Sequence, residues 1–474
     1  MANDINALRE KLRSIGQDHV LRFWDELDAA GRDRLAGQIA ALNLEEIDEL
    51  VEKYVRQKPV VSLPEKIDPP QVLPREADAG REEMYAKALK RGRELLDAGQ
   101  VGAFLVAGGQ GTRLGYDGPK GEFPVTPVRE KPLFQVFAEQ LLAASQRHGK
   151  PIPWYIMTSE TNDAPTRAFF AKHAFFGYPE EDVIFFTQGM MPAFGFDGKM
   201  LLAEKDSLAL SPDGHGGSLR AVARSGALAD MKRRGIRHLS YFQVDNPITR
   251  LIDPLFLGLH DLYDSEMSSK TIPKREPKEK LGNFAVVDGK LIVIEYSDLP
   301  DELAEKRDAS GTLLFNAGSI AIHILAVSFI DRLNARGKLE LPWHRAEKKV
   351  PFVDEQGREV KAEKPNAVKL EQFVFDAIPL ARNPIVYETD RSEEFSPVKN
   401  AEGDDSPATS RRDQVRRYAR WLSAAGVEVP YGEDGEPDAI VEISPLFADS
   451  ADELKEKNLP SNRIQAGERV YYGE

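Results

Sequence analysis

Two cations, Arg113 and Lys120, stand inside a stretch that also holds Gly108, Gly109, Gly111, Gly115 and Gly118. Glycine lets a backbone take positive φ and bring bare N–H groups close to an anion. The cations add full charges that backbone dipoles cannot supply. Together these residue types suit a phosphate ligand. The stretch matches neither of two common phosphate loops. A P-loop lysine is followed by Ser or Thr, whereas Lys120 is followed by Gly121 and Glu122. The dinucleotide fingerprint needs a glycine where Leu114 stands. An ordinary βα turn, in contrast, needs neither so many glycines nor a pair of cations.

Further stretches carry groups that such a ligand requires. Asp245 closes the apolar run Leu239–Val244. A carboxylate at a strand end can hold Mg²⁺ against phosphate oxygens, because that ion takes few protein ligands and completes its shell with water and substrate. Taken alone, it also reads as a turn or helix cap. Pro212-Asp-Gly-His-Gly-Gly-Ser218 is a second glycine loop, open to a base or a sugar, although many turns share its composition. Glu295 follows Leu291–Ile294 and could accept hydrogen bonds from sugar hydroxyls; its bland reading is a surface carboxylate. Lys399 lies in the proline-stiffened segment Glu393–Asn400, where a lysine is by default simply solvated.

The elements that must position these residues follow from periodicity. Val101–Ala107 reads as a strand, and Pro132 onward as an amphipathic helix with Leu133, Phe134, Phe137, Leu141 and Leu142 on one side. From about 99 to 385 short apolar runs alternate with helical segments: Pro153–Thr158, a helix through Thr166 to His173, Val183–Phe186 and Leu239–Val244. This predicts a largely parallel sheet flanked by helices, with ligands at the ends of its strands. Ala285–Val287 and Leu291–Ile294 read as a hairpin around Asp288-Gly289. Residues 1–57 read as helical, with Asn43-Leu-Glu-Glu46 at capping-box spacing ahead of Leu44, Ile47, Leu50, Val51 and Val55. Pro59, Pro64, Pro69, Pro70 and Pro74 mark an extended connector, and 79–98 returns to helix. The expected organisation is a helical N-terminal region with its connector over 1–98, a catalytic domain over 99–385, and a small C-terminal domain over 386–474. The last would contain a solvent loop at Gly403–Pro407 and short strands at Val427–Pro430 and Ile440–Ile443.

Composition narrows the partners. A net charge of -14 argues against nucleic acid and anionic membranes. The absence of cysteine excludes disulfides, thiolate metal sites and cysteine nucleophiles. No run approaches the length of a membrane span, and Met1–Asn6 has neither a basic region nor an apolar core. The expectation is a soluble, cytoplasmic protein.

The stretch from Leu105 through Gly108-Gly-Gln-Gly-Thr-Arg-Leu-Gly115 to Pro119-Lys120 resembles the signature of the eukaryotic-type UDP-sugar pyrophosphorylases, and most closely their UDP-N-acetylhexosamine branch. The similarity continues in order through Pro153–Ser159, Phe175–Gly177, Phe186–Gly189, Val244–Asn246, Asp253-Pro254, Glu295–Ser297, Ala317-Gly318, His344 with Ala346, Lys348 and Lys349, Pro365-Asn366, Lys369–Glu371, Phe373–Asp376 and Phe395–Asn400. The resemblance implies an α/β fold, a Rossmann-like nucleotidyltransferase core with a mixed, mostly parallel sheet. It implies the reversible reaction of UTP and a sugar 1-phosphate to UDP-sugar and pyrophosphate, with Mg²⁺ as cofactor.

By that resemblance Gly108, Gly109 and Gly111 approach the nucleotide, and Arg113 and Lys120 bind the UTP phosphates. Gln188, Gly214 and the neighbouring His215 belong to the uracil end. Asp245 binds Mg²⁺, while Asn246, Glu295 and Ser319 face the sugar and Lys399 binds phosphate. The sugar phosphate is itself a nucleophile, so no Ser–His or Cys–His device is required, and none is found. The reaction needs in-line positioning and neutralised charge. The chain departs from the N-acetylhexosamine pattern at two positions: His215 replaces an asparagine, as in UDP-glucose enzymes, and Ser319 replaces the asparagine of Gly-Asn-Ile. A serine hydroxyl lacks the reach and the paired donor and acceptor of an amide.

Overall fold

The computed structural model describes residues 5–58, 66–335 and 339–473. Pro59 and Pro64 of the expected connector lie outside the described residues. Contacts divide the chain into two units. The first comprises Met1–Glu65, Gln188–Arg220 and Glu340–Asp376; the second comprises Lys66–Thr187, Ala221–Leu339 and Ala377–Glu474. The division cuts across the three segments expected from sequence, because partnership in a sheet or core, rather than order along the chain, decides it. The expected boundary at 385/386 falls inside the strand Ile385–Glu388, which pairs with Met267–Pro273.

In the second unit, the central sheet has the strand order Val72–Leu73, Ile385–Glu388, Met267–Pro273, Ala317–Ala326, His238–Gln243, Val101–Val106, Trp154–Thr158 and Val183–Thr187. Every pairing along that path is parallel except those of Ala317–Ala326, which runs antiparallel to both its neighbours. The strands Val101–Val106 and Trp154–Thr158 are almost continuously apolar because helices cover both faces of such a sheet. The helix Leu133–His148 buries Leu133, Phe134, Phe137 and Leu141 as its period requires. The hairpin Gly282–Val287 and Lys290–Ile294 turns through Asp288 and Gly289, both at positive φ. It joins the sheet by pairing Gly282 with Ser319.

Two sequence expectations change. Part of the proline-rich connector forms a strand, Val72–Leu73, at the sheet edge, where proline is tolerated because one side of the strand needs no donors. Val427–Pro430 forms no strand: it makes one isolated bridge, Glu428 to Arg463. Ala439–Ile443 is a strand, paired with Glu468–Tyr472. Together with Pro407–Ala424 it encloses a core of Trp421, Leu422, Val441 and Leu454.

In the first unit, helices Ile5–Ser14, Ala29–Ala41 and Leu44–Leu50 pack Leu12, Leu35, Ile39 and Ile47 against Phe194, Met200, Val368 and Leu370. Asn43 caps its helix by accepting from the Glu46 N–H, as the spacing predicts. No described helix is long and apolar enough to cross a membrane.

Candidate active site

In the second unit, the strand Val101–Val106 runs into a loop that folds back on itself before the next helix begins at Leu133. The Gly111 N–H donates to Gly118 C=O at 2.8 Å, and the Lys120 N–H donates to Gly109 C=O at 3.1 Å. Asn162, fully buried, pins the loop to the sheet by donating from Nδ2 to Ala107 C=O at 3.0 Å and accepting the Ser159 N–H at 2.7 Å. A β-carbon on Gly121 would lie 2.1 Å from the Phe134 ring, so only glycine lets the turn carrying Lys120 rest on that helix. At Gly109 a β-carbon would meet nothing within 4 Å beyond its chain neighbours, leaving the loop's outer face open there. Gly108 is half-buried beside it.

The loop delivers Lys120 to the end of the neighbouring strand His238–Gln243, where Asp245 stands. Lys120 Nζ donates to Val398 C=O at 3.4 Å, and the Val398 N–H donates to Asp245 C=O at 2.7 Å. Burial lowers the pKa of Lys120; the charge of Asp245 opposes this, and those of Lys399 and Arg113 add to it. Asp245 and Lys399, distant in sequence, and Arg113 from the same loop therefore all lie within electrostatic reach of Lys120. Lys399 Nζ lies 3.8 Å from Asp405 Oδ2, a carboxylate that the sequence suggested only as part of a solvent loop.

A cavity of about 110 Å³ opens beside this cluster, lined among others by Asp245, Asn246, Thr249, Gly282, Ser319 and Lys399. Glu295 does not line it but lies close to a residue that does: a β-carbon on Gly282 would lie 3.7 Å from both Glu295 Oε1 and Ser319 Cβ. Asn246 lines the cavity, but its amide is engaged elsewhere: Nδ2 donates to Glu394 C=O at 2.6 Å and Oδ1 accepts the Ser396 N–H at 3.1 Å. It thereby anchors the segment leading to Lys399. Glu394 is held in turn by Lys270, which is fully buried and bonds both Glu394 carboxylate oxygens (2.7 and 2.6 Å) and Asp253 Oδ2 (2.9 Å).

Among the described residues, no three His, Asp or Glu side chains gather as a metal cluster. A lone strand-end carboxylate still fits a hard divalent ion that takes most of its oxygens from phosphates and water. Asp245 has that character.

In the first unit, Gln188 is buried, and Gly214 takes φ 87° where a β-carbon would lie 2.4 Å from Gln372 C=O. His215 stacks on Phe373 with ring centroids 5.2 Å apart, and His344 stacks on Phe373 at 4.2 Å. His215 Nδ1 accepts the Val374 N–H at 3.1 Å, so Nε2 carries the proton. Burial pushes the His215 imidazole down to about 4, with His344 adding to the shift. The ring is expected to be neutral through the physiological range, and ¹⁵N NMR should show a fixed Nε2–H tautomer from pH 5.5 to 8. A titration midpoint near 6.5 would contradict the burial. The folded-state pKa lies below the unfolded value, so the stability linked to His215 is complete above about pH 6.5. It is lost as pH falls toward 4.

A sheet of this topology, with a glycine loop and clustered cations around a strand-end carboxylate, belongs to the α/β nucleotidyltransferase class. The family model described as UTP–glucose-1-phosphate uridylyltransferase matches residues 45–404. The chain belongs to that family, whose activity is UTP-dependent uridylyl transfer to a sugar 1-phosphate. It is 38% identical over 477 residues to the human UDP-N-acetylhexosamine pyrophosphorylase-like protein 1, covering 94% of each chain. It is also 38% identical over 375 residues to the UDP-N-acetylglucosamine pyrophosphorylase of Saccharomyces cerevisiae, covering 77% of each. The fold is shared with the uridine diphosphate N-acetylglucosamine pyrophosphorylase of Trypanosoma brucei: TM-score 0.83, 24% identity, covering 100% of this chain and 99% of that one.

Proposed function

We propose that the chain joins UTP and N-acetylglucosamine 1-phosphate to give UDP-N-acetylglucosamine and pyrophosphate. The observation that carries this reading is the grouping of Arg113, Asp245 and Lys399 around Lys120, with Asp245 and Lys399 lining the cavity that also holds Asn246 and Ser319. The names of the relatives supply the sugar.

In this reading a phosphate oxygen of the sugar 1-phosphate attacks the α-phosphorus of UTP. The new P–O bond forms as the bond to the β-phosphate bridge breaks, and pyrophosphate leaves. Gly108, Gly109 and Gly111 leave the backbone open to the nucleotide. Arg113, Lys120 and Lys399 bind and neutralise its phosphates, including those that leave as pyrophosphate. Gln188, Gly214 and the Nε2–H of His215 are the contacts proposed for uracil. Glu295 and Ser319 would receive the sugar, and Asn246 would act mainly by holding the Lys399 segment in register. Mg²⁺, held by Asp245, would supply charge neutralisation for the phosphates. Preorganised charge of this kind is the main catalytic term such a transfer needs.

A second reading, glucose 1-phosphate as the sugar, is favoured by Ser319 in the cavity and by His215. Pyrophosphate release with UTP, Mg²⁺ and a panel of sugar 1-phosphates separates the two. The highest kcat/KM is expected with the N-acetylglucosamine compound. A preference for glucose 1-phosphate would favour the second reading. Binding of UDP-sugar without release from any panel member would sink both and leave a nucleotide-sugar-binding protein.

A further inference from the structure

Asp405 closes the loop that carries Lys399. Its carbonyl accepts the N–H groups of Lys399 at 2.6 Å and of Asn400 at 3.1 Å, closing the loop between them. The Asn400 side chain donates to Asp404 C=O at 2.9 Å. Ser406 then caps the helix Pro407–Ala424 with a reciprocal Ser406–Thr409 pair. Asp405 is thus fixed between a closed loop and a rigid helix, at φ 55°. Its Oδ2 stands 3.8 Å from Lys399 Nζ, within reach of an ion pair but too long for a hydrogen bond. The charges of Lys399 and Asp245 both act on it.

We propose that Asp405 is the counter-ion that holds Lys399 in the ligand-free protein and is displaced by a substrate phosphate, so that it sets how tightly pyrophosphate is held. This rests on the phosphate-binding role given above to Lys399. Lys120 feels two further cations, Lys399 and Arg113, against the single carboxylate of Asp245. Asp405 adds a second carboxylate to this group, paired with Lys399 before any ligand arrives. A phosphate offers several anionic oxygens at hydrogen-bonding distance, so it outcompetes one carboxylate at 3.8 Å. Once it has done so, Asp405 remains nearby as a like charge and weakens the complex. Asp405 is therefore a positioning residue that acts through Lys399, and it favours departure of the leaving group.

Asparagine is the safest replacement, since it tolerates left-handed φ and keeps the loop-closing carbonyl. With the full chain and Mg²⁺, the pyrophosphate Kd of Asp405→Asn should fall on the order of ten-fold, the size of one partly screened charge interaction. The KM for pyrophosphate in the reverse direction should fall with it. Glu402→Gln removes the same charge from an exposed position of the same loop and should leave both unchanged. In a Lys399→Met background, Asp405→Asn should give a gain of less than two-fold. A structural defect loosens binding, so a gain in affinity cannot arise from misfolding. Weaker or unchanged pyrophosphate binding by folded Asp405→Asn, beside normal binding by the unaltered chain, would overturn the counter-ion role alone. Failure of the unaltered chain to bind pyrophosphate would overturn the proposed function as well.

Discussion

Lys120→Ala lowers turnover on the order of 10²–10³-fold and changes the KM for UTP far less: this is the expected result of removing one preorganised charge from the transfer site. The side chain is well placed to have that effect. It is partly desolvated, and its protein hydrogen bond, to Val398 C=O at 3.4 Å, is long. An ammonium held in this way has most of its hydrogen-bonding capacity left for a phosphate, and it needs little reorganisation when charge moves onto the leaving group. Steady-state pyrophosphate release at saturating sugar 1-phosphate measures the effect, and an unchanged melting temperature shows that the fold survives. Turnover within two-fold of the unaltered chain would refute the contact with the reacting phosphates.

Lys270→Met should cost about 3–5 kcal/mol of stability, the usual penalty for removing one partner from a buried ion cluster. The lysine is fully buried between two carboxylates, Asp253 and Glu394, which have little water available to replace it. Burial alone would raise the pKa of Asp253, but the charges of Lys270 and Arg250 outweigh it and bring the carboxyl down to about 2. The stability linked to Asp253 is present above the unfolded value near 3.9 and is lost as pH falls through about 2. Urea unfolding at pH 7 should show a lower midpoint with an unchanged slope. A loss below about 1 kcal/mol would show that the carboxylates find other partners. The substitution should also reduce turnover in protein that remains folded, because Glu394 C=O anchors Asn246 and so the segment reaching Lys399.

The parts of the fold with a strong local signal were legible in the sequence. Val101–Val106, Trp154–Thr158 and His238–Gln243 are apolar runs bounded by turn residues, and Asp288-Gly289 names its own turn. The edge strand Val72–Leu73 was hidden by prolines, which argue against a strand only where both sides must pair. Val427–Pro430 carries β-branched residues at strand spacing but finds only Arg463 as a bridging partner, so its propensity goes unused.

The site divides along a similar line. Arg113 and Lys120 announce themselves by standing among glycines, and Asp245 by ending a strand. Lys399 was visible only through family resemblance, since a lone lysine carries no pattern. Asn162, Asp405 and Lys270 gave no usable signal. Each acts through a contact made only in the folded chain, and Gly403–Pro407 reads from sequence only as a solvent loop.

The first unit is assembled from Met1–Glu65, Gln188–Arg220 and Glu340–Asp376. On the ribosome its three pieces appear at widely separated times. At ordinary synthesis rates the last piece follows the first by on the order of tens of seconds. Leu35, Ile39 and Ile47 on the opening helices share their core first with Phe194 and Met200 of the second piece and only last with Val368 and Leu370. The core of this unit is therefore complete only when its last segment has been made.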